Sequence, residues 1–400
     1  MIEVFKTKKD CCGCTACMSI CPKQSITMQP DEDGFVYPVV NADLCVECGL
    51  CRKVCAFQNI SVTADEPLAT YAAINKNLSV LAASASGGIF AALASITFEK
   101  NGVVFGCAFT NDMEPEHICV DNPTDMLRLQ GSKYVQSSIN TTFAEAKQYL
   151  EQGRVVLYIG TPCQIAGLKS YLCKDYENLI TADIICHGVP SAAFFKGYIK
   201  HLEGKLKGNI IDFKFRDKSK GWGLMGKVVY EKNRVVQEEF IPPITSSYYS
   251  YFLKGDIYRE NCYECQYASG NRQGDFTMGD YWGVEKAHPE VESRNGVSVL
   301  LVNSAKGMAL IEKLRSHLDL TQSTFEQARE QNEQLRQPTA KSYKREAILK
   351  TWREGGYKAL AVQYYRSNKK QIVLFKTKML VPQPVKKLIE KLVKKRSFRY

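Results

Sequence analysis

Two cysteine runs at the start of the chain restrict its fold more than any other feature. Cys11, Cys14, Cys17 and Cys21 are spaced C-x2-C-x2-C-x3-C-P. Cys45, Cys48, Cys51 and Cys55 repeat that spacing, with Ala56 in place of the proline. Nine of the sixteen cysteines fall within the first 55 residues. A chain of 400 residues with 45% hydrophobic content can bury two or three cores, so it needs neither disulfides nor metal merely to fold. The opening MIEVFKTKKD lacks the apolar stretch of a secretion signal, and nowhere do about 18 uncharged apolar residues run together. A cytoplasmic location is expected. In that reducing compartment, thiols at these spacings point to metal or redox chemistry rather than to a disulfide framework.

The doubled spacing is that of bacterial two-cluster ferredoxins, in which three close thiolates hold one 4Fe–4S cube and the fourth cysteine of each run reaches the other. Cys11, Cys14, Cys17 and Cys55 are therefore assigned to one cluster, and Cys45, Cys48, Cys51 and Cys21 to a second. A pair of zinc sites would use C-x2-C pairs and leave the interlocked third and fourth cysteines without a purpose. Cys12 is expected to be a passenger. Between the runs, SITMQPDEDGFVYPVV reads as two short strands around a turn. Residues 1–62 are read as a small ferredoxin domain holding both clusters.

After a polar stretch at residues 63–67, apolar and helical segments alternate: TYAAIN, GGIFAALASITFEK, GVVFGCAF, TTFAEAKQYLEQG, RVVLYIG, QIAGLKSYL, NLITADIIC and AAFFKGYIKHLEGKL. The order implies a mixed α/β (α+β) body, with boundaries at 67–150 and 151–320, turning β-rich from about residue 210. Within it, Ser86, Gly87 and Gly88 open a helix, which suits either a phosphate or an ordinary serine cap. Gly131, Ser132, Lys133, Tyr134 and Gln136 supply a cation, hydroxyls and an aromatic ring, as a flavin nucleotide needs, or form a polar surface loop. Cys163 stands at a helix start, behind a capping Thr161 and Pro162, where the dipole favours a thiolate. Cys163, Cys186, Cys262 and Cys265 make four thiols from three places, the number a third 4Fe–4S cluster or one structural zinc requires. His187 is expected in the core, and Cys107, Cys119 and Cys173 as structural. FRDKSKGWG and GDYWG, with Arg216, Lys218 and Trp222 in the first, combine charges and aromatics at turns.

In their order along the chain, SASGGIF, NGVVFGCAF, GSKYVQS, GTPCQIAGLK, CHGVPS, FRDKSKGWG, RENCYECQYA and GDYWG resemble the coenzyme F420 hydrogenase/dehydrogenase beta-subunit family, over roughly residues 67–305. The resemblance implies an iron–sulfur flavoprotein that carries FAD, with Ser86 to Gly88 and Gly131 to Gln136 near the flavin. It also implies that Cys163, Cys186, Cys262 and Cys265 hold an additional 4Fe–4S cluster. Electrons then pass between the clusters and FAD to reduce or oxidise a small molecule, with Lys133, Tyr134 and Arg216 as candidates for positioning and proton supply. Coenzyme F420 and sugar or polysaccharide precursors are the substrates that relatives suggest, with a soluble ferredoxin or another redox partner as the donor. A chain acting only as an electron relay for a separate catalytic partner is the alternative.

The net charge of +11 is concentrated: twelve lysines and arginines face one acid between Arg366 and Tyr400, and the rest of the chain balances. A neutral body argues against nucleic acid as a partner. Residues 321–400 are expected to form a helical, basic extension. In its last stretch Val385, Leu388, Ile389, Leu392 and Val393 share a helical face, which suits either peripheral contact with the inner face of the membrane or docking on the body.

Overall fold

The computed structural model describes residues 3–59 and 66–380. At the start, β1 (Ile26–Pro30) pairs antiparallel with β2 (Val36–Val40) across a turn that Asp31 closes by accepting from the Asp33 and Phe35 amides. Two one-turn helices, Ala16–Ser19 and Leu50–Lys53, carry the middle of each cysteine run.

The body follows with β3 (Ala69–Asn75), β4 (Val103–Phe109), β5 (Pro115–Val120), β6 (Val156–Gly160) and β7 (Leu179–Ile184). Then β8 (Asn209–Lys214), β9 (Gly226–Lys232) and β10 (Val235–Ile241) form a separate antiparallel sheet. Finally β11 (Phe276–Asp280), β12 (Ser298–Val302) and β13 (Leu318–Ser323) rejoin the main sheet. Its order is β13-β3-β12-β11-β7-β6-β4-β5, with β4, β6, β7 and β11 parallel at the centre and antiparallel strands outside them.

The centre is parallel because it is buried on both faces, which is why β6 reads as the unbroken apolar run VLYIG. Val156 and Tyr158 pack against the helices Thr142–Glu151 and Pro162–Leu172, while Leu157 and Ile159 point to the opposite layer with the helices Ile89–Phe98 and Ala305–His317. The result is a three-layer α/β sandwich with the ferredoxin-like module seated on one side: Ala16 and Val54 join the core under the helix Pro162–Leu172.

Two expected boundaries do not separate packed units. One sheet draws β3, β4 and β5 from before residue 150 and β6 and β7 from after it, and β13 runs across residue 320. The polar stretch after Thr324 is packed on the body: in its short helix Phe325–Glu330, Phe325 and Ala328 are buried, as is Leu335 beyond it. The extension is helical over Arg345–Leu380, with a break at Gly356, whose φ of +61° a side chain would resist. No described helix is long and apolar enough to cross a membrane. The amphipathic stretch expected near Val385 lies outside the described residues.

Candidate redox centre

The first two thiol sets are interlocked. Burial first, then the neighbouring Cys14, Cys11 and Cys55, push the Cys17 thiol well up, so the first three cysteines of run one face the last of run two. Cys21, Cys45, Cys48 and Cys51 line one small recess with Pro22, Ile26 and Leu50. The residues fit clusters. Four thiols converge in each set, and the buried Thr15 hydroxyl, beside Cys14, has no hydrogen-bond partner among the described residues, as an atom meant for a bound sulfide would not.

A third set comes from three places. Cys163 sits in the first turn of the helix Pro162–Leu172, where the Thr161 amide donates to Gln164 Oε1 at 2.9 Å and the Thr161 hydroxyl lies 3.1 Å from the Cys163 sulfur. Cys186 follows β7, and Cys262 and Cys265 lie in and just after the turn Glu260–Glu264. Burial, then Cys186, Cys265 and Cys163, push the Cys262 thiol well up. Bound metal reverses that penalty by taking thiolates as ligands. Cys12 is buried and neighbours both Cys14 of the first set and Cys163 of the third, and the Cys163 thiol is pulled down to about 7, first by Cys12 and next by Thr161 against the cost of burial.

The loops holding the third set are locked by a buried ion pair. Asp183, near the end of β7, accepts from Arg272 Nη2 at 2.7 Å, Thr277 Oγ1 at 2.7 Å and the Gln273 and Gly274 amides at 2.9 and 2.8 Å. Arg272 in turn donates to the carbonyls of Tyr267 and Ile184, tying the Cys265 loop to the strand that delivers Cys186.

A cavity of about 290 Å³ opens where β4, β6, β7 and β11 end. Ligands gather at that edge in open α/β sheets, because side chains and helix N-termini converge there. Ser86, Gly88, Gly131, Ser132, Lys133 and Tyr134 all line it, and so does Cys186. Burial pulls the Lys133 ammonium below the usual lysine range, and it donates to the Arg128 and Gln130 carbonyls. Gly87 does not line the cavity. Its amide donates to Ser298 Oγ at 2.8 Å, and an added Cβ would sit 2.1 Å from the Ala73 carbonyl oxygen, so the glycine serves close packing beneath the loop. Gln136 faces away, its amide donating to the Cys12 carbonyl at 3.1 Å. Arg216 stands behind the wall, giving two hydrogen bonds to Asp280 at 2.6 and 3.0 Å and one to the Tyr134 hydroxyl at 3.2 Å. Trp222 donates to the same Asp280 and stacks on Trp282 at 5.0 Å, so FRDKSKGWG and GDYWG meet as one wall. Lys218 donates to the Ser86 carbonyl and holds that loop in place.

Two expectations fail at the cavity: His187 lies on its wall rather than in the core, and Cys107 lines it too. His117, which no sequence signal marks, also lines it. Its Nε2 donates to the Ile159 carbonyl and its Nδ1 accepts from Ser137, which fixes one neutral tautomer.

Interlocked cysteine sets beside an α/β cavity define an iron–sulfur chain of the oxidoreductase, electron-transfer type. Residues 10–59 match the 4Fe–4S dicluster domain, and residues 153–328 match the C terminus of the coenzyme F420 hydrogenase/dehydrogenase beta subunit. The chain thus carries, in order, a match to the dicluster domain and a match to the C-terminal region of that beta subunit, the combination that its motifs resemble. Among solved structures it is similar to a chain of the F420-reducing NiFe hydrogenase complex from Methanosarcina barkeri, with 15% identity, 79% of this chain and 96% of that chain covered, and a TM-score of 0.43. No curated protein matches it.

Proposed function

We propose that the chain is an iron–sulfur flavoprotein that passes electrons between its ferredoxin-type clusters and FAD, to reduce or oxidise a small molecule such as coenzyme F420. One observation carries this reading: Cys186 belongs to the third thiol set and also lines the cavity, so the end of the thiol series and the ligand site share a residue. The cavity suits a nucleotide. The helix Ile89–Phe98 presents its N-terminus there through Gly88, and Lys133 adds a half-buried cation, which together favour phosphate. When bound, FAD accepts electrons singly and releases them as a pair with a proton, the conversion a two-electron substrate needs. Tyr134, held by Arg216 and stacked on Phe252 at 4.3 Å, supplies a positioned hydroxyl for the substrate side. In the third set the four thiols suit a further 4Fe–4S cluster.

After strictly anaerobic purification the chain should contain about one FAD and about twelve iron, with no zinc. Iron without flavin, even after reconstitution, would sink this reading. The exposed Cys48 amid exposed Leu44, Val46 and Leu50 favours a second, in which the chain relays electrons to a partner protein. A relay, once reduced, is not oxidised by substrate unless the partner is present.

A further inference from the structure

Arg259 is fully buried, and it reaches from the body into the ferredoxin module. Its Nε donates to the Cys11 carbonyl at 2.9 Å, Nη1 to Gln136 Oε1 at 3.2 Å and Nη2 to the Val36 carbonyl at 3.0 Å, with Cys11 Sγ at 3.6 Å. Its plane lies on the Tyr37 ring, 4.1 Å from the centroid. Gly13 makes room: at φ +70°, an added Cβ would stand 3.0 Å from Nη1. Every one of these partners is a neutral group or a thiol, and no carboxylate lies within ion-pair distance among the described residues.

A buried guanidinium without a counter-charge is unfavourable, because its hydration is lost, unless an anion is close. The thiol set beside it is where that anion belongs. A cluster held by four thiolates is anionic and gains one further negative charge on reduction, and in a low-dielectric site a fixed cation favours the more negative form strongly. Among the described residues the second set has no equivalent: the charged residue lining its recess is Lys23, exposed and therefore screened by water and salt.

On the assignment of one cluster to each ferredoxin-type set, we propose that Arg259 tunes the electron affinity of the inner set, Cys11, Cys14, Cys17 and Cys55, above that of the outer one. An electron entering at the outer set, where Cys48 is exposed, is then drawn inward toward Cys12 and the third set. Each hop carries one electron from the outer set to the inner, with no bond made or broken. An external one-electron reductant, dithionite in the test below, supplies the first.

The test is an anaerobic redox titration of the full, iron-loaded chain followed by electron paramagnetic resonance. Arg259→Met removes the charge. Gln136→Glu keeps Arg259 and the side-chain volume but sets a carboxylate against Nη1, cancelling the charge at the cost of the donor to the Cys12 carbonyl. In both, the reduced-to-oxidised ratio of the inner cluster at fixed potential should fall at least tenfold, about 59 mV for one electron, while the outer cluster stays put. Arg259→Lys keeps the charge and should remain closer to the wild type than either. An unmoved inner midpoint in whichever neutralised variant holds its iron would overturn the proposal, as would an equal shift of both clusters. Iron content of the wild-type chain reads the cluster assignment separately.

Discussion

His117 has its chemistry set by what surrounds it. Burial, with the Lys133 charge adding to it and the bond to the Ile159 carbonyl opposing it, pulls its imidazole down to about 4, against an ordinary value of 6.5. The folded state resists a proton that the unfolded chain accepts. Stability is therefore whole above about pH 6.5 and drains as the pH falls through about 4, by roughly 3 kcal/mol in all. In His117→Gln, melting temperature should depend less on pH across that window, and the difference between the two chains cancels the acid loss of iron common to both. An identical slope in the two would refute the assignment. Nothing in the sequence singles this histidine out, since HICV reads as one more strand segment. Its environment is made by Ser137 and Ile159, which only the fold brings near. Arg259 opens the motif RENCYECQYA, but nothing in that motif shows that its guanidinium reaches the Cys11 carbonyl across the fold.

At the scale of elements, the decisive piece is the end of β7, where one strand supplies both the locked carboxylate Asp183 and the thiol Cys186. Asp183→Ala would leave the Arg272 guanidinium without its buried partner and should destabilise the chain by about 3–5 kcal/mol. Iron analysis should show the loss of roughly one cluster's worth, while the ferredoxin-type signals persist. Retention of all the iron would mean that the Cys265 loop is held by something else. Strands β4 and β6 are legible because burial on both faces demands continuous apolar runs, and β7 because an apolar majority in LITADI survives its buried Thr181 and Asp183. Strands β11, β12 and β13 were not read: FTMGD and LDLTQS are short and mixed, and β3 finds its neighbours β12 and β13 more than two hundred residues later. Local pattern carries no information about pairing at that range. The thiol sets are the reverse case, since metal geometry imposes spacing that survives in the sequence, whereas the meeting of FRDKSKGWG with GDYWG at Asp280 is purely tertiary.

For the whole molecule, three thiol sets form a series rather than a scatter. The outer set with its exposed Cys48, the inner set with its buried Cys17, Cys12, the third set and the cavity follow one another through the junction between module and body. Gly167 lets that junction close: an added Cβ would lie 2.8 Å from the Cys14 sulfur. Gly167→Leu should separate the module from the helix beneath it, and rapid mixing with dithionite should then show ferredoxin-type centres that reduce at the wild-type rate and a third centre that lags at least tenfold. Equal rates at both would show that electrons do not cross there. Because Cys186 is at once a thiol of the third set and a piece of the cavity wall, anything that fills the cavity presses on a member of that set. Under the proposed reading, the visible spectrum of that centre becomes a built-in gauge of occupancy, able to register a bound molecule before a single electron has moved.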